Sequence, residues 1–111
     1  MKLIQKNLIK GTQEFELLDD EVRVSIKAPF KSKQLTTPLA ILNPEPEING
    51  SYLHFHSRVK CGPLLSFYLN KPNEKEFNAF VDALKQKALE EYNTFAGLND
   101  QAMIGIKKEA E

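Results

Sequence analysis

The chain has 111 residues, with 15 Lys and Arg against 15 Asp and Glu, one cysteine, no tryptophan, 41% hydrophobic residues and 27% charged ones. That length suits one domain with a single core, and the even charge count excludes a broadly basic nucleic-acid binder. No apolar run approaches the roughly 20 residues that cross a bilayer, and the lone Cys61 cannot form an intrachain disulfide, which predicts a reducing, cytoplasmic setting.

Gln5, Lys6 and Asn7 interrupt the apolar residues at the amino terminus, so the pattern of a secretory signal is missing there. Residues 4–9 read as a strand pairing with residues 12–18 across Lys10-Gly11, although Leu3, Ile4 and Leu8 also suit a short helix. In residues 12–18, Phe15 and Leu17 alternate with Glu14 and Glu16, the pattern of a half-buried strand. Asp19-Asp20 mark a turn. Residues 21–27 then alternate most regularly, with Val22, Val24 and Ile26 inward and Arg23, Ser25 and Lys27 outward, so the two runs form an antiparallel hairpin.

Pro29 ends that strand because proline brings no backbone donor to a ladder. Residues 30–37 are mixed in character, and residues 39–42 are a short apolar run that reads as a buried strand or the end of a longer one. Pro44, Pro46 and the Asn49-Gly50 turn signal predict a loop over residues 43–50. Residues 51–59 put Leu53, Phe55 and Val59 on one face and Tyr52, His54, His56 and Arg58 on the other. After a turn at Cys61-Gly62-Pro63, residues 64–69 point Leu65, Phe67 and Leu69 inward, giving a second hairpin.

Near Pro72 the hydrophobic period changes from two to three and four. Asn73 with Glu76 is a capping box in its Asn form, and Glu74 adds negative charge where the helix dipole favours it. Phe77, Phe80, Val81, Leu84, Ala88, Tyr92 and Phe95 form one stripe, and Gly97 predicts the stop. The chain therefore divides into a domain over residues 1–97 and a frayed or partner-dependent tail over residues 98–111.

The fold class is α+β: an antiparallel meander of about six or seven strands, forming a partly open barrel or strongly bent sheet, closed by one long carboxyl-terminal helix. This layout, with the passage from Leu65 through Leu84, resembles the last strand and closing helix of bacterial pleckstrin-homology-like domains. The resemblance implies that Phe80-Val81 plug the end of the barrel. The tryptophan usual in the closing helix of the eukaryotic members is absent, and their spaced Lys/Arg signature for phosphoinositides reduces here to Lys10.

Three kinds of chemistry suggest themselves. His54 and His56 on one strand face, with Cys61 just beyond, are metal-ligand types, but no further residue completes a tetrahedral set, so neither a metal nor another cofactor is expected. Lys27, Lys31 and Lys33 around Phe30, with Arg58 and Lys60, suit a basic rim for an anionic ligand or weak contact with a membrane surface. Tyr92 and Phe95, with Met103 and Ile104 in the tail, suit an apolar patch for a protein partner or a second copy.

The expected function is thus a non-enzymatic binding or scaffolding module that uses a strand edge or helix groove for a protein. Anionic-ligand binding is the alternative, and a metal-dependent enzyme built on His54, His56 and Cys61 comes third. Residues 1–72 carry 10 basic and 7 acidic side chains and residues 73–111 carry 5 and 8, so the zero net charge is a cancellation between a basic sheet and an acidic helix.

Overall fold

A computed structural model of the chain describes the backbone of residues 1–7, 10–59 and 61–110 and the side chains of these as far as residue 93. In chain order it forms β1 (Lys2–Asn7), β2 (Gly11–Leu17), β3 (Glu21–Ala28), β4 (Lys31–Pro38), a 3-10 turn (Leu39–Ile41), β5 (Glu47–Asn49), β6 (Tyr52–His56), β7 (Pro63–Tyr68) and α1 (Glu74–Ala110). Strands β1 to β4 make one antiparallel sheet in sequence order, and β5 to β7 make a second. Among the described residues no ladder joins the sheets, so the meander gives two sheets around a common core and not a closed barrel.

The alternating pattern becomes burial directly. Phe15 and Leu17 of β2 lie opposite Val24 and Val22 of β3, and all four are buried. The amino-terminal segment is a strand, with Leu3 opposite Phe15 and Ile4 opposite Glu14, so Leu3 faces the core and Ile4 the solvent. Of the residues expected in that strand, Leu8 and Ile9 lie outside those described. Gly11 has φ +91° and no room for a side chain: a Cβ there would stand 2.1 Å from the Lys27 carbonyl oxygen. Glycine lets β2 begin directly against β3, which sets the Lys10-Gly11 turn beside the Pro29-Phe30 turn.

Several elements depart from the sequence reading. Residues 31–38, mixed in character, are the edge strand β4, whose residues are exposed apart from Thr37 and so show no alternation. The run at residues 39–42 is no strand; its 3-10 turn drives Leu39 and Leu42 fully into the core. The predicted loop over residues 43–50 contains β5, joined to β6 through a two-residue turn at Gly50-Ser51, where Gly50 takes the φ of +64° that such a turn asks of its first residue. Val59 is 68% exposed, because a register irregularity between Phe55 and His56 ends the alternation and the strand closes at His56.

Helix α1 begins as its cap predicts: the Glu76 amide donates to Asn73 Oδ1 at 2.9 Å, and Asn73 Nδ2 donates to Glu76 Oε2 at 2.6 Å. Phe77, Phe80, Val81, Leu84 and Ala88 are buried. The helix does not stop at Gly97 but continues to Ala110. An interior glycine costs about 1 kcal/mol relative to alanine, and good helix formers such as Ala102, Met103, Lys107 and Lys108 follow it. The rings of Phe15, Phe67 and Phe80, one from each sheet and one from the helix, meet at centroid distances of 4.2, 5.9 and 6.4 Å. Phe80 and Val81 are both buried at this junction.

One buried polar residue spans the gap between the sheets. Gln5 is wholly buried on the inner side of β1. Its Nε2 donates to the Tyr68 carbonyl at 2.8 Å and the Lys71 carbonyl at 2.9 Å, and its Oε1 accepts the Tyr68 amide at 2.8 Å. The carboxamide therefore acts as a missing strand's peptide group at the outer edge of β7. Away from this clasp, a cavity of about 180 Å³ opens between the first sheet and β7, bordered by Ile26, Leu35 and Leu64.

Candidate functional site

The free edge of the second sheet is β5, and its hydrogen-bond parity follows from its neighbours. Asn49 and Tyr52 flank the two-residue turn and so bond to each other, which leaves Ile48, between Asn49 and Glu47, with its N–H and C=O pointing away from β6. The Leu69 amide donates to the Ser51 carbonyl at 3.0 Å, which fixes the matching parity on β7 and agrees with this assignment. Among the described residues nothing takes up the two backbone groups of Ile48.

The side chain of Ile48 sits opposite Leu53, and residues opposite each other in an antiparallel pair share a face. Leu53 is buried in the core, so Ile48 faces the core side as well, yet it is 69% exposed. The cause is an open groove of about 560 Å³ between β5 and the first turns of α1. Leu53, Leu69, Phe77 and Val81 lie along it with Ile48, and Glu45, Asp82 and Lys85 carry its charge. Sequence reading missed this site because residues 43–50 looked like a loop; the available signal was an isoleucine just before a glycine turn, in register with the core residue beyond it.

Of the basic residues singled out from sequence, Lys27, Lys31 and Lys33 lie on the hairpin that Phe30 tips, Lys27 on one face and Lys31 and Lys33 on the other. Ala28 pairs with Lys31, leaving Pro29-Phe30 as the hairpin tip, and Phe30 is 98% exposed. Lys6 shares the face of Lys27, since Lys6, Thr12, Lys27 and Ser32 form one cross-strand row, and Lys10 lies in the adjoining turn, with its Nζ 3.1 Å from the Tyr52 hydroxyl. Among the ion pairs of the described residues, none holds Lys6, Lys10, Lys27, Lys31 or Lys33.

Arg58 is placed elsewhere. Its Nε donates to the Leu42 carbonyl at 2.8 Å and its guanidinium lies 3.6 Å from the centroid of the Tyr92 ring, so it is stacked on the helix and does not belong to the hairpin rim. Partial burial holds its pKa below the usual guanidinium value, against a smaller opposing effect from Tyr92. Lys60 lies outside the described residues. Tyr92 remains 44% exposed around its contact with Arg58, and the side chains of Phe95, Met103 and Ile104 lie outside those described.

His54 and His56 share the outer face of β6 with Tyr52, but each has its own neighbour: His54 Nδ1 is 2.7 Å from Ser66 Oγ, and His56 Nε2 is 3.5 Å from Glu47 Oε2. Cys61 is exposed. No group of three or more His, Cys, Asp or Glu side chains able to hold a metal occurs among the described residues. Among those residues, too, no helix is long and apolar enough to cross a membrane. In comparisons with known proteins, no family model, curated protein or solved structure matches the chain.

Proposed function

We propose that the protein is a non-enzymatic interaction module that receives an extended segment of a partner protein in the groove between β5 and α1. The observation that carries this reading is Ile48: an apolar residue on the core side of a sheet, largely uncovered, with both backbone groups free at the sheet edge. An extended peptide answers both needs, because its backbone pairs with the edge while alternate side chains enter the groove. The order of strands and closing helix, which resembles a pleckstrin-homology-like domain, supports a binding role as well; fold alone does not fix function.

Ile48→Pro separates binding from folding. Proline is tolerated on an outer edge where its N–H is unused, so the melting temperature should stay within a few degrees. Peptides selected by the wild-type chain from a random library displayed on phage should bind the variant about tenfold more weakly, the loss of one well-placed hydrogen bond. Equal affinity, or amide shifts on peptide addition that avoid Ile48, Leu53 and Val81, would overturn the reading.

A second reading rests on the lysine-rich end. Five lysines on the two faces of the sheet end that carries a fully exposed phenylalanine suit an anionic membrane surface, where the ring enters the interface and the ammonium groups that reach headgroups contribute about 1 kcal/mol each. Phosphatidylserine vesicles should sediment the protein at low salt and release it at high salt, and Phe30→Ser should halve the bound fraction or better. No phosphatidylserine-dependent pelleting at low salt ends this reading.

A further inference from the structure

Arg58 is only half explained by its packing. Nε is satisfied by Leu42, and the guanidinium face is covered by Tyr92, but Nη2 is shielded from solvent without an acceptor among the described residues. No carboxylate lies within ion-pair distance of Arg58 among those residues either. Half-buried, with no carboxylate beside it, the guanidinium leaves positive charge at the pocket it borders, which an anion balances.

The guanidinium borders a pocket of about 430 Å³ whose other walls include Pro44, Leu89 and Tyr92. This pocket and the β5 groove share Glu45, and both run along the same face of α1, from Val81 through Lys85 and Leu89 to Tyr92. The two are therefore successive stations of one trough.

We infer that Arg58 recognises a carboxylate on the segment bound beside β5. The distance along the helix from Val81 to Tyr92 is about 16 Å at 1.5 Å per residue, which an extended chain covers in about five residues. The partner segment thus carries an apolar side chain seated beside Ile48 and a carboxylate four to six residues away, supplied by Asp, Glu or a free carboxyl terminus. This inference rests on the peptide-binding reading above and adds the chemistry of the ligand.

The test uses the full chain and two phage libraries of random peptides, one displayed internally and one ending in a free carboxylate. Sequences captured by the wild type should share an acidic residue, or the terminus itself, at that spacing from an apolar position. For a synthetic consensus peptide, Asp or Glu replaced by its amide, or amidation of the terminus, should weaken binding to the wild type by about ten- to fiftyfold. Whichever replacement has this effect identifies the carboxylate's source.

Against Arg58→Gln the same replacement should change affinity less than twofold. If Arg58→Gln fails to fold, Arg58→Lys keeps the charge and should lose most of the discrimination, because an ammonium does not stack flat on Tyr92 and so is not held at the pocket. Captured sequences that depend on Ile48 but carry no carboxylate, or a replacement that costs the same in both backgrounds, overturn this inference and leave the peptide-binding reading standing. Libraries that yield no Ile48-dependent sequence overturn both.

Discussion

Gln5→Leu is expected to lower the free energy of unfolding by about 3–4 kcal/mol and the melting temperature by roughly 15–20 °C. Leucine fits the volume and suits the surroundings, so an account based on hydrophobicity alone predicts a gain. The loss comes from the other side of the contact. The Tyr68 N–H and C=O and the Lys71 C=O all rely on one carboxamide. Each is left without its partner, at about 1–3 kcal/mol for every group that water does not reach.

Gln5→Glu should be no better, because a carboxylate would face two carbonyl oxygens with nothing to donate. Urea denaturation gives the loss, and faster amide exchange at Tyr68 locates it. A loss below about 1 kcal/mol would mean that packing alone holds the sheets together.

Phe80→Ala is expected to cost about 4 kcal/mol, in the range for truncating a fully buried phenylalanine. Phe80 is the helix's contribution to the ring cluster with Phe15 and Phe67, so its removal opens a cavity where both sheets and α1 meet. Phe80→Leu refills most of that space and should cost well under half as much. Val81→Ala, beside it, removes two methyl groups from a residue near the groove and should cost about 1–2 kcal/mol. If denaturation curves give Phe80→Ala no larger effect than Val81→Ala, the helix is not anchored at this point.

What the sequence discloses tracks how one-sided each element is. β3 and α1 each bury one face and expose the other, so their periods are plain in Val22, Val24 and Ile26 and in the Phe77 to Ala88 stripe. The helix start is legible for a local reason, the reciprocal bonds of Asn73 and Glu76. β4 is obscure because an edge strand with solvent on nearly every residue has no period to show, and β5 because three residues are too few to establish one. The far end of the helix is misread since Gly97 is a stop signal by its own preference, overruled by the helix formers beyond it.

The candidate sites divide the same way. Lys27, Lys31 and Lys33 are local to one hairpin and stay together, whereas Lys6 joins through a register that sequence alone does not specify. Arg58 looks like another loop cation, and its stacking on a residue 34 positions later depends on how the helix crosses the sheet. Gln5 is polar in a strand and so reads as outward-facing. Its parity with Leu3 was the clue to the contrary.

The clasp at Gln5 has a mechanical meaning. The lysine-rich tip belongs to the first sheet and the β5 groove to the second, and among the described residues no backbone ladder spans them. Among the described residues, strain exerted on one surface reaches the other through the shared aromatic core, the Gln5 carboxamide, the contact of Lys10 with Tyr52 and the connection that pairs Leu42 with Ser57. The two plates are therefore joined by side chains and a short connection rather than by a ladder, and it is these few contacts that set the angle between the two surfaces.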